Sequence, residues 1–185
     1  MQHRPRRSIL YMPASNARAI EKARSLPCDA IVLDLEDAVA PEAKTDARAL
    51  ARAAIDAGGF GGRELLVRVN AAGSEWLADD LAMLRDARVD GVLLPKVERP
   101  VDVTGFADRL DAALALWIMV ETCAAVLGIA ALAQAPRLAG LVLGLNDLAA
   151  EMRAPLGPDR SAFHMAMAAT VMAARANGLV AVDGV

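Results

Sequence analysis

Three acids, Asp34, Glu36 and Asp37, close the apolar run that begins at Ala30. Carboxylates at the C-terminal end of a buried strand have no place in a core, because an unpaired charge there is costly to desolvate. In parallel α/β folds that end of the strand is where ligands bind. The pattern recurs down the chain. Arg68 stands between Val67 and Val69 and is followed shortly by Asn70. Lys96 and Glu98 follow GVLLP, Glu121 follows LWIMV, Asn146 and Asp147 follow LAGLVLGL, and Asp183 sits in VAVDGV. A guanidinium flanked by valines must point inward to a partner, and its planar fork suits carboxylates and enolates. Two carboxylates from adjacent strands, with no histidine near, suit a hard divalent cation. Mg2+ takes one or two protein carboxylates and leaves its other positions to water and substrate oxygens. The lack of histidine at these ends argues against zinc and non-haem iron.

Glu121, Asp147 and Arg68 therefore read as functional, with Glu36 and Asp37 beside them. The plainer alternative is a salt-bridge network. In it Asp34, still inside the apolar run, pairs with Arg68 or Lys96, Lys96 serves Glu98, and Asp37 caps the turn before Pro41. Asp183 reads as structural. His3 belongs to a flexible start, and His164 reads as a packed or surface residue in the middle of a helix. Met165, Met167 and Met172 read as core filler. Trp76 and Trp117 read as packing, with Trp76 close enough to the Asn70–Glu75 loop to touch a ligand.

The elements that must position these groups are seven strand-length apolar segments: Ser8–Pro13, Ala30–Leu35, Leu65–Asn70, Gly91–Val97, Leu116–Thr122, Leu138–Leu145 and Val180–Val185. Helical spacing fills the gaps, over Asn16–Ser25 (Ser15 as N-cap), Pro41–Ala57, Glu75–Ala87, Val101–Ala113, Cys123–Gln134 and Asp159–Asn177. Strict alternation of strand and helix predicts an α/β fold with a parallel sheet, a (β/α)8 TIM barrel in preference to an open doubly wound sheet. The open sheet would want a glycine-rich phosphate turn after its first strand, and Pro13-Ala14-Ser15-Asn16 is not one. Seven strands in 185 residues, against about 250 for a typical barrel, give the expectation of one barrel domain over residues 1–185, truncated before its eighth strand.

The bulk composition agrees. The chain is 56% hydrophobic but only 3% aromatic, so aliphatic strands under alanine-rich helices are expected. A net charge of −3 gives no nucleic-acid footprint, and Arg4, Arg6 and Arg7 are too short a cluster for a binding arm. Cys28 and Cys123 form no CxxC pair, so neither a disulfide nor a zinc site is expected. No signal peptide and no membrane span are predicted, which leaves a cytoplasmic protein as the expectation.

The pieces RRSILYMPAS, AIVLDLEDAVAPEAKTDAR, LLVRVN, GVLLPKVE, IMVETCAAVLGI, GLVLGLNDLAAEM and GLVAVDGV stand in this order and cover nearly the whole chain. Together they resemble the citrate lyase β-subunit-like branch of the HpcH/HpaI aldolase/citrate lyase family. The resemblance implies a Mg2+-binding (β/α)8 barrel in which Glu121 and Asp147 ligate the metal. It also implies that Arg68 binds substrate and that Glu36 and Asp37 line the same pocket. The implied reaction is reversible carbon–carbon cleavage of a citryl, malyl or citramalyl thioester, carried on CoA or an acyl-carrier protein, to an oxo acid and an acyl thioester. A homotrimer or hexamer is implied as well. The family shows glycine where this chain has Ala14, an eighth strand, and in several members a lid that supplies a catalytic acid.

On this reading Glu36 or Asp37 either takes the hydroxyl proton or orients water, and Arg68 holds carboxylate or enolate oxygen; Arg6, Arg7 and Arg18 are candidate phosphate contacts, with solvated surface charge the favoured reading. Three rivals remain: a class II pyruvate aldolase on free hydroxy-keto acids, a Schiff-base aldolase using Lys96, and a non-catalytic thioester-binding or assembly subunit.

Overall fold

The computed structural model describes residues 4–184; His3 and Val185, the latter expected to end the seventh strand, lie outside the described residues. The chain divides into two compact units, Met1–Leu93 and Leu94–Val185.

The first unit alternates β1 (Ile9–Pro13), α1 (Ala17–Ala23), β2 (Ala30–Asp34), α2 (Lys44–Ala57), β3 (Glu64–Arg68), α3 (Leu77–Met83) and β4 (Gly91–Leu94), whose last residue is the first of the second unit. Neighbouring strands are parallel, β1 to β2, β2 to β3 and β3 to β4. Strands β2, β3 and β4 are buried along their whole length, which is why they read as unbroken aliphatic runs rather than as alternating ones. Register decides the chemistry here: Asp34 is paired with Arg68, and residues in register on parallel strands share a face of the sheet.

Helix α2 buries Lys44, Ala47, Arg48, Ala51 and Ile55, a stripe of helical period. It stops at Gly58, which takes φ 65°, as a C-terminal glycine does at little steric cost. The N-cap of α1 is Asn16, whose Oδ1 accepts from Ala19 N at 3.0 Å, one residue beyond the expected Ser15. Ala14 is fully buried, and it is not among the positive-φ residues. No glycine is needed there, and the alanine costs the loop nothing.

The second unit holds α4 (Pro100–Ala107), β5 (Ala115–Val120), α5 (Cys123–Leu127), α6 (Ile129–Leu132), β6 (Leu138–Leu143), α7 (Leu145–Met152), α8 (His164–Ala176) and β7 (Val180–Val182). Strands β5, β6 and β7 run parallel in that order. Trp117 on β5 is opposite Gly140 on β6. A Cβ on Gly140 would stand 2.3 Å from the indole, so this glycine makes room for a tryptophan that is fully buried.

The helix expected over Cys123–Gln134 is two short ones, divided at Gly128. Strand β6 ends at Leu143, and Asn146 and Asp147 belong to the first turn of α7 rather than to the strand. Gly144 breaks the run, and an acid near a helix N-terminus suits the helix dipole. His164 is the first residue of α8, not a mid-helix one, and is exposed. Met165 and Met172 are each 65% exposed. They are not core filler, because the buried stripe of α8 consists of Ala166, Thr170, Ala173 and Ala174. Among the described residues no helix is long and apolar enough to cross a membrane.

Candidate functional site

Two polar clusters stand at strand ends, one in each unit. In the first, Asp34 ends β2 with its carboxylate saturated. It accepts from Arg68 Nε at 2.8 Å and Arg68 Nη2 at 2.6 Å, and from the backbone N–H groups of Glu36 at 2.9 Å and Ala38 at 3.3 Å. Arg68 Nη1 lies 3.0 Å from Glu36 Oε2, and the guanidinium lies 5.5 Å from the Tyr11 ring centroid. Asp34, Glu36 and Arg68 are all buried, whereas Asp37 is exposed. Burial works against the charge on Arg68, but the hydrogen bonds it donates to Asp34 and the charges of Asp34 and Glu36 outweigh it and move its pKa upward. Asp34 is thus the structural partner of Arg68. A guanidinium has five N–H groups, and the hydrogen bonds to Asp34 engage two of them.

A second layer braces this cluster. Lys44 Nζ donates to Leu35 O at 2.7 Å, Glu36 O at 2.8 Å and Asn70 Oδ1 at 2.7 Å. It also lies 5.0 Å from the Trp76 ring, so Trp76 packs against a lysine. Burial lowers the pKa of Lys44, and the neighbouring acids, Glu36 first, oppose the shift. Asn70 is held in turn by Asp80, which accepts from its backbone N–H at 2.8 Å and its Nδ2 at 2.7 Å, and Asp80 accepts from Arg48 Nε at 2.8 Å. Sequence reasoning missed Lys44, Arg48 and Asp80. The signal was present in charges at the core-facing positions of an amphipathic helix, since Lys44 and Arg48 lie on the stripe of Ala47, Ala51 and Ile55.

The cluster of the second unit is built from Glu121, Asp147 and Lys96. Glu121 follows β5 and is 1% exposed. The next residue, Thr122, caps α5, its hydroxyl accepting from Ala125 N at 3.0 Å, so strand end and helix start fix the glutamate between them. Gly144 makes the space: a Cβ there would fall 2.5 Å from Glu121 Cβ and 2.7 Å from its Oε2. Glu121 Oε1 accepts from Lys96 N at 2.7 Å. Lys96 Nζ lies 2.7 Å from Asp147 Oδ2 and 3.7 Å from Glu121 Oε1.

The lysine expected to serve Glu98 therefore lies between two other carboxylates, and Glu98 is exposed, its N–H donating to Asp102 Oδ2 at 3.3 Å. Two carboxylate oxygens addressing one cationic group beside a glycine cradle fit Mg2+. Among the described residues no group of three or more His, Cys, Asp or Glu is gathered for a metal.

Of the remaining candidates, Asp183, Arg6 and Arg7 have structural partners. Asp183 pairs with Arg160, Nη1 to Oδ2 at 2.9 Å. Arg6 binds Glu64, Nη2 to Oε1 at 2.8 Å, and Arg7 binds Asp29, Nη2 to Oδ1 at 2.9 Å. Asn146 and Arg18 are exposed.

The family described as HpcH/HpaI aldolase/citrate lyase matches residues 7–185. A Cereibacter sphaeroides protein named (3S)-malyl-CoA thioesterase is 45% identical over 184 residues, covering 100% of this chain and 64% of that protein. The chain thus spans less than two thirds of the length of this curated relative. Among solved structures, the citrate lyase beta subunit of Mycobacterium tuberculosis complexed with oxaloacetate and magnesium is 30% identical. It has a TM-score of 0.80 and covers 95% of this chain and 76% of that one. Protein CitE from Mycobacterium tuberculosis, in complex with magnesium, acetoacetate and coenzyme A, has a TM-score of 0.81 at 30% identity, covering 95% and 64%. With these likenesses, the alternation of parallel strands and helices gives the fold as that of a (β/α) barrel, seven of whose strands lie among the described residues.

Proposed function

Because this chain belongs to the HpcH/HpaI aldolase/citrate lyase family, we propose that it acts as a Mg2+-dependent carbon–carbon lyase. Its substrate is a β-hydroxy acyl thioester of the citryl, malyl or citramalyl type, cleaved to an oxo acid and an acyl thioester or formed from them. The observation that carries this reading is the convergence of Glu121 and Asp147 on one cationic group. The solved relatives support it: one is complexed with an oxo acid and magnesium, another with coenzyme A.

In the cleavage direction the bond between the hydroxyl-bearing carbon and the thioester α-carbon breaks. The hydroxyl proton leaves to a carboxylate, the electron pair stays on the thioester half as an enolate, and a proton taken up at the α-carbon converts that enolate to the acyl thioester. Glu121 and Asp147 would hold magnesium, which would supply Lewis-acid polarisation to the oxo-acid half of the substrate. Arg68 offers the N–H groups beyond those engaged by Asp34 and Glu36 to a substrate carboxylate or to the enolate oxygen, where charge develops. Asp34 and Glu36 keep its fork oriented, so no reorganisation is needed when the substrate arrives. Asp37, exposed beside Glu36, is the proton acceptor of the pair. Lys44 holds the carbonyls of Leu35 and Glu36 and so fixes the backbone that carries both acids.

Hydrolysis of the same thioester is a second reading, favoured by the name of the relative with 45% identity. The Schiff-base reading of Lys96 fits less well, because its ammonium serves as counter-ion to two carboxylates. Incubation with malyl-CoA and Mg2+ separates the possibilities. The lyase releases glyoxylate and acetyl-CoA, the thioesterase malate and CoA thiol. If neither pair of products forms, and citryl-CoA and citramalyl-CoA are also inert, the reading is wrong.

A further inference from the structure

Lys96 addresses the same two carboxylates in two ways. Its backbone N–H donates to Glu121 Oε1 at 2.7 Å, and its ammonium lies 2.7 Å from Asp147 Oδ2 and 3.7 Å from Glu121 Oε1. Its backbone has φ 53°, the left-handed region that a lysine enters only where surrounding contacts hold it. The side chain is 32% exposed and that of Asp147 39%, so the ammonium has a path to solvent.

Two carboxylates repel each other unless a cation stands between them. Resting on the reading of Glu121 and Asp147 as magnesium ligands, we infer that Lys96 is the built-in counter-cation of that site. Its ammonium holds the two acids together while metal is absent and gives up Asp147 when Mg2+ binds. Magnesium affinity is then a difference, the carboxylates' attraction for Mg2+ less their attraction for the lysine. Lys96 is a positioning residue that keeps the ligand pair assembled and sets how readily metal enters.

The test is calorimetric titration of the intact chain with MgCl2, comparing wild type with Lys96→Met and Lys96→Gly. The glycine variant keeps the backbone N–H to Glu121 and is at ease at positive φ, so an effect common to both variants belongs to the ammonium. Coupling between competing groups is typically about 5- to 150-fold, and both variants are expected to bind Mg2+ at least about fivefold more tightly than wild type. Unchanged or weaker binding in both, with Glu121→Gln still abolishing binding, overturns the inference while the metal reading stands. If wild type binds no Mg2+, or Glu121→Gln and Asp147→Asn bind it as wild type does, the metal reading fails and the inference with it.

Reductive methylation of the wild-type chain, read by mass spectrometry at Lys96, keeps the question open to test should the variants not fold. Labelling that rises when Mg2+ is added supports displacement, and equal or lower labelling overturns it.

Discussion

Replacing Asp34 by asparagine removes one charge from a buried pair and leaves its shape. The pair is bidentate, at 2.8 and 2.6 Å, with side-chain exposures of 10% for Arg68 and 2% for Asp34, so solvent screening gives little discount. Breaking such a pair from one side costs about 3–5 kcal/mol, because the other charge stays buried. Asp34→Asn also weakens the acceptor for the N–H groups of Glu36 and Ala38, which places the cost in the upper half of that range. For 185 residues, an unfolding entropy of roughly 2.1 cal/mol/K per residue sums to about 0.4 kcal/mol/K, so the melting temperature should fall by roughly 10–13 °C. Urea denaturation followed by circular dichroism measures the free-energy loss, and a thermal scan the shift in melting temperature. The double variant Asp34→Asn/Arg68→Met should lose clearly less than the sum of the singles, since it leaves no orphan charge. A single-variant loss under about 1 kcal/mol would refute the reasoning, because the pair would then behave like a surface one.

Three other predictions follow from single contacts. Lys44 has its pKa lowered by burial, so the unfolded chain binds more protons between that lowered value and the ordinary 10.5, and the lysine's contribution to stability rises with pH across the window. Urea midpoints of wild type minus Lys44→Met should therefore increase as the pH is raised towards 10.5, and a flat difference contradicts the buried charge. Asp29 is held far below the usual carboxylate range by the side-chain and backbone hydrogen bonds of Arg7. Its contribution to stability is present above the ordinary value of 3.8 and is lost as pH falls through the folded value. An acid titration should show wild type and Asp29→Asn converging as pH falls. Gly144→Ala puts a Cβ 2.5 Å from Glu121 Cβ. It should cost about 1–3 kcal/mol in denaturation and weaken Mg2+ binding at least about tenfold by calorimetry, with unchanged binding ruling out the cradle.

How far the sequence reached depends on the kind of signal. Strands β2, β3 and β4 are buried on every residue, and an unbroken aliphatic run carries that information openly. Helix α7 went unseen because Leu143-Gly144-Leu145 continues the apolar run of β6, and only a backbone break at Gly144 separates strand from helix. The exposure of Met165 and Met172 on α8 was hidden because alanines are ambiguous as to face, and it is alanine that this helix buries. A cationic partner for Asp34, either Arg68 or Lys96, is legible from its place inside the apolar run, and the structure gives Arg68; Lys96 meeting Glu121 and Asp147 is not legible there. Lys96 is close to Glu98 in sequence, and its left-handed turn, which no propensity of lysine announces, belongs to its approach to Glu121. The Lys44–Asn70–Asp80–Arg48 chain was legible in principle, as charges on the buried stripe of α2 and in α3, but only once those helix faces were assigned.

The central claim is that Glu121 and Asp147 hold magnesium, and calorimetric titration of Mg2+ into wild type, Glu121→Gln, Asp147→Asn and the control Glu98→Gln tests it most directly. Saturable binding is expected for wild type and Glu98→Gln alike, with a loss of about 100-fold or more in each of the other two, all four remaining folded by circular dichroism. Wild-type affinity retained by either Glu121→Gln or Asp147→Asn would contradict it.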